Sequence, residues 1–232
     1  MTDSRQEVAP SSAADSSWVR LSDGLIGGIH HTLNNRMAAM SAVAQIVESD
    51  LPEDHPLTGS MLRELRRFES SVTLLTLLMG SEGAEPVQVE TIVAGAARLF
   101  EMHHSMRDLQ LRVEMASELY PLYLEASALR RALMIVLAVA SRRARAGNRE
   151  VVLEVVGDER AVVITVSAVG DADAPDGESL DATLAGISPE GAAALLERWG
   201  GSLQVHDSGG EIVLQASLPT LPEARKRQQA GS

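Results

Sequence analysis

The chain is 232 residues long and 45% hydrophobic, with a formal net charge of −12 at pH 7 and no cysteine. This length holds one large or two small domains with a real core, and the missing cysteines exclude disulfides, thiol nucleophiles and cysteine-ligated zinc. The negative charge and the scarcity of aromatic residues (two Trp, two Tyr, two Phe) argue against a nucleic-acid partner, which requires cationic surface and stacking platforms.

Residues 1–17 are polar and rich in Ser and Ala, and read as a flexible N-terminal tail rather than a signal peptide. No apolar run approaches the roughly 18–20 residues of a membrane span, so no membrane partner is expected and the cytoplasm is the expected compartment. From residue 18 to about 49 there is no proline. Leu25, Ile29, Leu33, Met37, Met40, Ala44 and Val47 recur there in steps of three and four, the stripe of an amphipathic helix. Leu51-Pro52-Glu53-Asp54-His55-Pro56 breaks that helix. A second helix is expected over 58–79, with Met61, Leu65, Phe68, Val72, Leu75 and Leu78 on one face. Together the two make a long antiparallel helical hairpin over 18–80. Its stripe needs a cover, and the simplest one is a second copy, closing a four-helix bundle by two-fold symmetry. A homodimer is therefore expected.

Ser81-Glu82-Gly83-Ala84-Glu85-Pro86 reads as a linker over 81–86, leading to an α/β domain over 87–221. Helices are expected over 87–104, 126–146 and 189–199, the last stopped by Gly200-Gly201. Strands are expected over 109–115, 151–156, 161–169, 202–206 and 211–218, with Gly157-Asp158-Glu159-Arg160 as a hairpin turn. An acidic loop spans 170–181. Residues 222–232, which hold the sole lysine Lys226, read as a flexible polar C-terminal tail, and Arg142, Arg143 and Arg145 as a solvated helix face. The expected class is α+β: the helical hairpin, then an α/β sandwich with helices on one face of a mixed sheet.

His31-Thr32-Leu33-Asn34-Asn35-Arg36-Met37 resembles the phosphoacceptor box of two-component histidine kinases, often His-Glu-(Ile/Leu)-Asn-Asn-Pro-Leu. The order of hairpin, linker and sandwich over about 17–219 is also similar to the histidine kinase core. That resemblance implies phosphate chemistry on the first helix and an ATP-binding fold behind it. The departures from the family are specific. Thr32 stands where the family carries an acidic residue that helps activate the histidine. In Leu129-Arg130-Arg131-Ala132-Leu133-Met134-Ile135-Val136-Leu137-Ala138-Val139-Ala140, Val139 falls where the family's helix supplies an asparagine that holds Mg²⁺. The Asp-x-Gly-x-Gly box has become Ala168-Val169-Gly170-Asp171-Ala172, with Ala168 at the aspartate that reads adenine. The glycine-rich loop has become Gly186-Ile187-Ser188-Pro189-Glu190-Gly191, and only Trp199-Gly200-Gly201-Ser202-Leu203 keeps the family's helix-to-strand turn. Valine offers no lone pair to a metal, and losing the aspartate removes a charged hydrogen bond worth about 1.5–3 kcal/mol. The resemblance thus implies a degenerate ATPase domain that binds no cofactor, with Mg²⁺ supplied by the partner.

On this reading His31 is the phosphoacceptor, since neutral imidazole is a competent nucleophile near pH 7. His30 is the adjacent alternative, and the spacing of Leu33 and Met37 favours His31. Asn35, one turn on, is placed to hydrogen-bond a phosphoryl group or a water. Asn34 and Arg36 are weaker candidates, and Thr32 is a neighbour that no longer acts as a strong base. No metal site is expected: His103 and His104 point about 100° apart on a helix, and the acidic stretch from Asp171 to Gly177 lacks the glycine and glutamate of a calcium loop. The composite reading is a histidine phosphotransferase in a two-component phosphorelay. It would pass phosphoryl groups between aspartates of response-regulator receiver domains, which dock at Ala38, Ser41, Ala42 and Ala44. Two alternatives share the fold: a pseudokinase adaptor that binds a receiver without transfer, and a divergent active sensor histidine kinase.

Overall fold

The computed structural model describes residues 12–48, 60, 68, 83–171, 184 and 186–230. Its centre is a five-stranded sheet in the order β2-β4-β5-β7-β6, made of β2 (Gln110–Met115), β4 (Gly147–Gly157), β5 (Ala161–Gly170), β6 (Ser202–Asp207) and β7 (Glu211–Pro219). All neighbours are antiparallel except β2 and β4, which run parallel. Alternation decides which side is the core. Val162, Ile164, Val166 and Ala168 of β5 are buried, whereas Val163, Thr165 and Ser167 between them face partly outward, as a two-residue pleat requires.

Three helices cover the buried face: α2 (Val89–Met102), α3 (Ala126–Arg145) and α4 (Glu190–Glu197). Helix α3 lies against β4, β5 and β7 and touches both other helices. The end of α4 is set by Gly200, which takes a positive φ of 72°. There Gly200 N–H donates to the Glu197 carbonyl and Gly201 N–H to the Leu196 carbonyl, the glycine-closed helix end that the Gly-Gly pair forecast.

Helix α1 (Ser12–Glu48) is 37 residues, about 55 Å at helical rise. It lies on α4, α3 and α2, and Leu21, Leu25 and Ile29 are buried there, at about 1.5–3 kcal/mol for each such side chain. The expected stripe is thereby divided. Leu25 joins the core of the chain's own sheet domain and needs no second copy, and Ile29 is buried one turn beyond it. Beyond them Leu33 and Met40 are half-buried and Met37 is exposed. The second arm of the expected hairpin, 58–79, lies outside the described residues except for Ser60 and Phe68, which are helical.

Several boundaries move. Helix α1 starts inside the expected N-terminal tail, where Ala13 and Ala14 favour helix. The expected linker ends early, because β1 (Glu85–Val87) pairs antiparallel with β3 (Leu122–Leu124). The expected C-terminal tail is helix α5 (Leu221–Ala230) over most of its length. Its start has a capping geometry: Thr220 Oγ1 accepts from Glu223 N–H at 3.4 Å, and Pro222 sits in the first turn, where a missing N–H costs nothing.

The arginines at the end of α3 are not a solvated face. Arg143 is 8% exposed. Its guanidinium donates to the Gly170 carbonyl at 3.3 Å, to the Gly209 carbonyl at 2.5 Å and to Asp207 at 2.5 Å, tying the ends of β5 and β6 to α3. Arg142 donates to the Ile187 carbonyl, and Arg145 to Asp108 and the Ser105 carbonyl. The bland reading of these residues missed that a helix end meeting three loops presents carbonyls that only a long forked donor reaches. Arg143→Ala is expected to cost about 2 kcal/mol, the range for hydrogen bonds made by a charged group, with the buried Gly170 carbonyl left short of a donor while Asp207 and Gly209 turn to water. It should appear as a lower urea midpoint at unchanged slope, with Arg143→Lys recovering only part of the loss.

Candidate functional site

Helix α1 has three faces, each with its own chemistry. Trp18, Leu21, Leu25 and Ile29 form the docked face. Val19, Ile26 and Met37 lie on a second, apolar face and are each more than half exposed. His31, Asn34, Asn35, Ala38, Ser41 and Ala42 are all exposed, and the 100° step of the helix places them away from both apolar faces. The chemistry-bearing side of the helix is therefore polar and lined by small residues.

On that side Asn35 Nδ2 lies 3.1 Å from His31 Nε2. An amide nitrogen only donates, so Nε2 is the acceptor and the ring proton sits on Nδ1. The two side chains are thus in contact, and the single in-plane lone pair of Nε2 is engaged by the Asn35 amide. Thr32 belongs elsewhere: it is half-buried, and its hydroxyl donates to the Gly28 carbonyl at 2.9 Å, one turn back. Arg36 is half-buried, and the side chains of His30 and Ala44 lie outside the described residues.

Sequence reasoning passed over Gly28. A Cβ there would collide with the backbone carbonyl of Met102 and lie 3.7 Å from the His104 nitrogen, so α1 touches the end of α2 backbone to backbone. A signal was present: Gly27-Gly28 interrupts a long helix, where each glycine costs about 1 kcal/mol relative to alanine, and close approach is a standard reason to keep one.

Within the sheet domain, Val139 and Ala168 are 4% and 3% exposed and belong to the core. Neither offers a polar atom beyond its backbone. Gly170 is wedged against the Arg143 carbonyl, where a Cβ would collide. Of the acidic loop after it, only Asp171 is described. No group of three or more His, Asp or Glu among the described residues is arranged to hold a metal. His103 is fully buried, with Nδ1 accepting from Ser105 N–H at 3.1 Å, while His104 is exposed; both lie just past the helix, which ends at Met102. Among the described residues no helix is long and apolar enough to cross a membrane.

No family model matches the chain. Sporulation kinase E of Bacillus subtilis (strain 168) is 22% identical over 148 residues, 62% of this chain and 18% of that protein; the chain thus spans less than a fifth of that relative's length. The catalytic domain of histidine kinase ThkA aligns at a TM-score of 0.50 and 13% identity, over 62% of this chain and 99% of that domain. Acinetobacter baumannii histidine kinase AdeS aligns at 0.46 and 16%, over 82% and 98%. The likeness to ThkA shows the fold: the sheet and its helices are built as in a histidine kinase catalytic domain.

The His31–Asn35 contact has a direct spectroscopic consequence. In the wild type, ¹⁵N resonances of His31 should report the Nδ1–H tautomer. Asn35→Ala should shift them toward the Nε2–H form that free imidazole prefers, because nothing then donates to Nε2.

Proposed function

We propose that this chain is a cytoplasmic, homodimeric histidine phosphotransferase of a two-component phosphorelay, with His31 as the phosphoacceptor. The observation that carries this reading is an exposed imidazole held in its Nδ1–H form by the Asn35 hydrogen bond to Nε2, on a helix face of small side chains open to a docking protein. With the proton already on Nδ1, no base is needed to free Nε2. Once the Asn35 amide lets go of Nε2, the freed lone pair attacks phosphorus of the receiver's aspartyl phosphate, the phosphorus–oxygen bond breaks, and the aspartate carboxylate leaves with the electron pair. The product imidazolium keeps its Nδ1 proton, and delivery to a second aspartate is the reverse step. Asn35 then finds a phosphoryl oxygen as its new acceptor. Thr32, turned onto the Gly28 carbonyl, takes no part in the proton traffic.

The source of phosphate is a receiver rather than ATP, because the residues present do not fit a nucleotide. Val139 has no lone pair for Mg²⁺ and Ala168 no carboxylate for adenine, and both are closed into the core. A fold likeness to a kinase domain does not carry its activity. Mg²⁺ belongs to the receiver. The second copy covers the exposed apolar face of α1, so Ile26→Glu should convert a dimer to a monomer in sedimentation while the circular dichroism spectrum is retained.

The deciding experiment mixes the chain with a set of receiver domains phosphorylated by a small phosphodonor and follows acid-labile label. Label should appear on the wild type and be absent from His31→Gln. Asn35→Ala should slow transfer about tenfold, the loss of one hydrogen bond to a charged group. Stable complexes without label, unchanged by His31→Ala, would instead identify an adaptor. Label arriving on His31 from ATP would identify a divergent kinase.

A further inference from the structure

We infer that the sheet domain acts as a clamp that sets the position of His31, with Gly28 as its positioning residue; this deepens the phosphoacceptor reading and rests on it. The clamp has two ends. At the upper end the Arg131 guanidinium stacks over the Trp18 ring, 5.2 Å from its centroid, a contact worth about 0.5–2 kcal/mol depending on exposure. At the lower end Gly28 lies against the Met102 carbonyl, a backbone atom that cannot rotate out of the way. Between them Leu21 and Leu25 enter the core cluster, and Ile29 is buried just past Gly28.

Past Ile29 the burial is only partial, with Thr32, Leu33, Arg36 and Met40 half-buried. No described side chain of α1 from His31 to Val43 is fully buried, so His31 stands in the first turn beyond the clamp. Thr32 links the two: its hydroxyl bonds the Gly28 carbonyl from the residue next to His31. A helix held by its backbone at one point and by aliphatic side chains above it has its roll and tilt fixed there. The turn that follows inherits both. Gly28 thus controls where Nε2 stands without touching the phosphoryl group, and the sheet domain does work that needs no nucleotide.

The chain has two tryptophans, Trp18 and Trp199, so Trp199→Phe leaves Trp18 as the sole reporter of docking. In that background the full chain is compared with Gly28→Ala and with Arg131→Gln, which releases the upper end without a backbone collision. Both variants should shift Trp18 emission to the red. Transfer from a phosphorylated receiver should fall about 10- to 100-fold in kcat, the scale of an ångström-sized misplacement. KM for the receiver should be unchanged, because the docking face of α1 is intact. Released Trp18 with normal kcat, or unmoved emission in both variants, overturns the clamp. A loss carried by KM alone overturns the positioning role as well. If the wild type takes no label from any receiver while emission responds as expected, the phosphoacceptor reading has failed and takes the positioning role with it, and the docking contact stands.

Discussion

Helix α3 has almost no contact with water, and the rest of the molecule is arranged around that constraint. Seventeen of its twenty residues are buried, with the sheet on one side and α2, α4 and α1 on the others. A helix enclosed this way must be small or apolar at nearly every position, and each polar group on it must find a partner inside the protein. Ser141 bonds back to the Leu137 carbonyl at 2.7 Å, Arg143 is spent on three loop acceptors, and burial pushes the Arg130 guanidinium below the usual arginine range. Valine at 139 obeys the same rule. An asparagine enclosed there without a ligand would be a buried amide short of partners, a cost of about 1–3 kcal/mol. Packing alone therefore favours an apolar side chain at this position.

The enclosure of α3 is completed by α1, which is why the histidine helix and the sheet domain meet. The helix satisfies three demands with one sequence. One face fills the layer over α3 and α4, a second keeps Val19, Ile26 and Met37 apolar and exposed, and the third carries His31 and Asn35 among small residues. Three functions spaced around a 3.6-residue period leave little freedom at any position. Thr32 illustrates this, since it abuts the docked side and bonds Gly28; its hydroxyl serves the helix rather than the imidazole.

Much of the sheet domain was legible because its code is local. The β-branched runs of β4 and β5, the turn between them and the Gly200-Gly201 stop each depend on a few adjacent residues, and they lie within a few positions of where pattern reading puts them. The one-turn spacing of His31 and Asn35 was legible for the same reason, although their direct contact was not, since the sequence only places Asn35 to bond a phosphoryl group or a water. What escaped was non-local. Strands β1 and β3 have three residues each and exist through each other. The covering of Leu25 by a distant domain is invisible to periodicity, which reports that a face is apolar and not what buries it. Arg143 gathers acceptors from residues 27 to 66 positions away. Helix α5 is a different failure: the Thr220-Leu221-Pro222-Glu223 start signal is local, and the polar composition after it outweighed the cap.

The strength of the docking also bears on what the sheet domain can do. Freeing α1 exposes Leu21 and Leu25, about 1.5–3 kcal/mol each, and breaks the Trp18–Arg131 stack. Part of that is returned as conformational freedom of the released side chains, up to about 1 kcal/mol for each leucine or isoleucine. A net cost of a few kcal/mol keeps the undocked population near or below about 1%. On the proposed relay, a receiver that brings its phosphoryl group to an imidazole already in place would use this preference, whereas a domain that had to carry a nucleotide to its own histidine at every turnover would work against it. Under that proposal rigid docking and an apolar residue at 139 are two consequences of one arrangement, in which the incoming protein moves and the histidine does not.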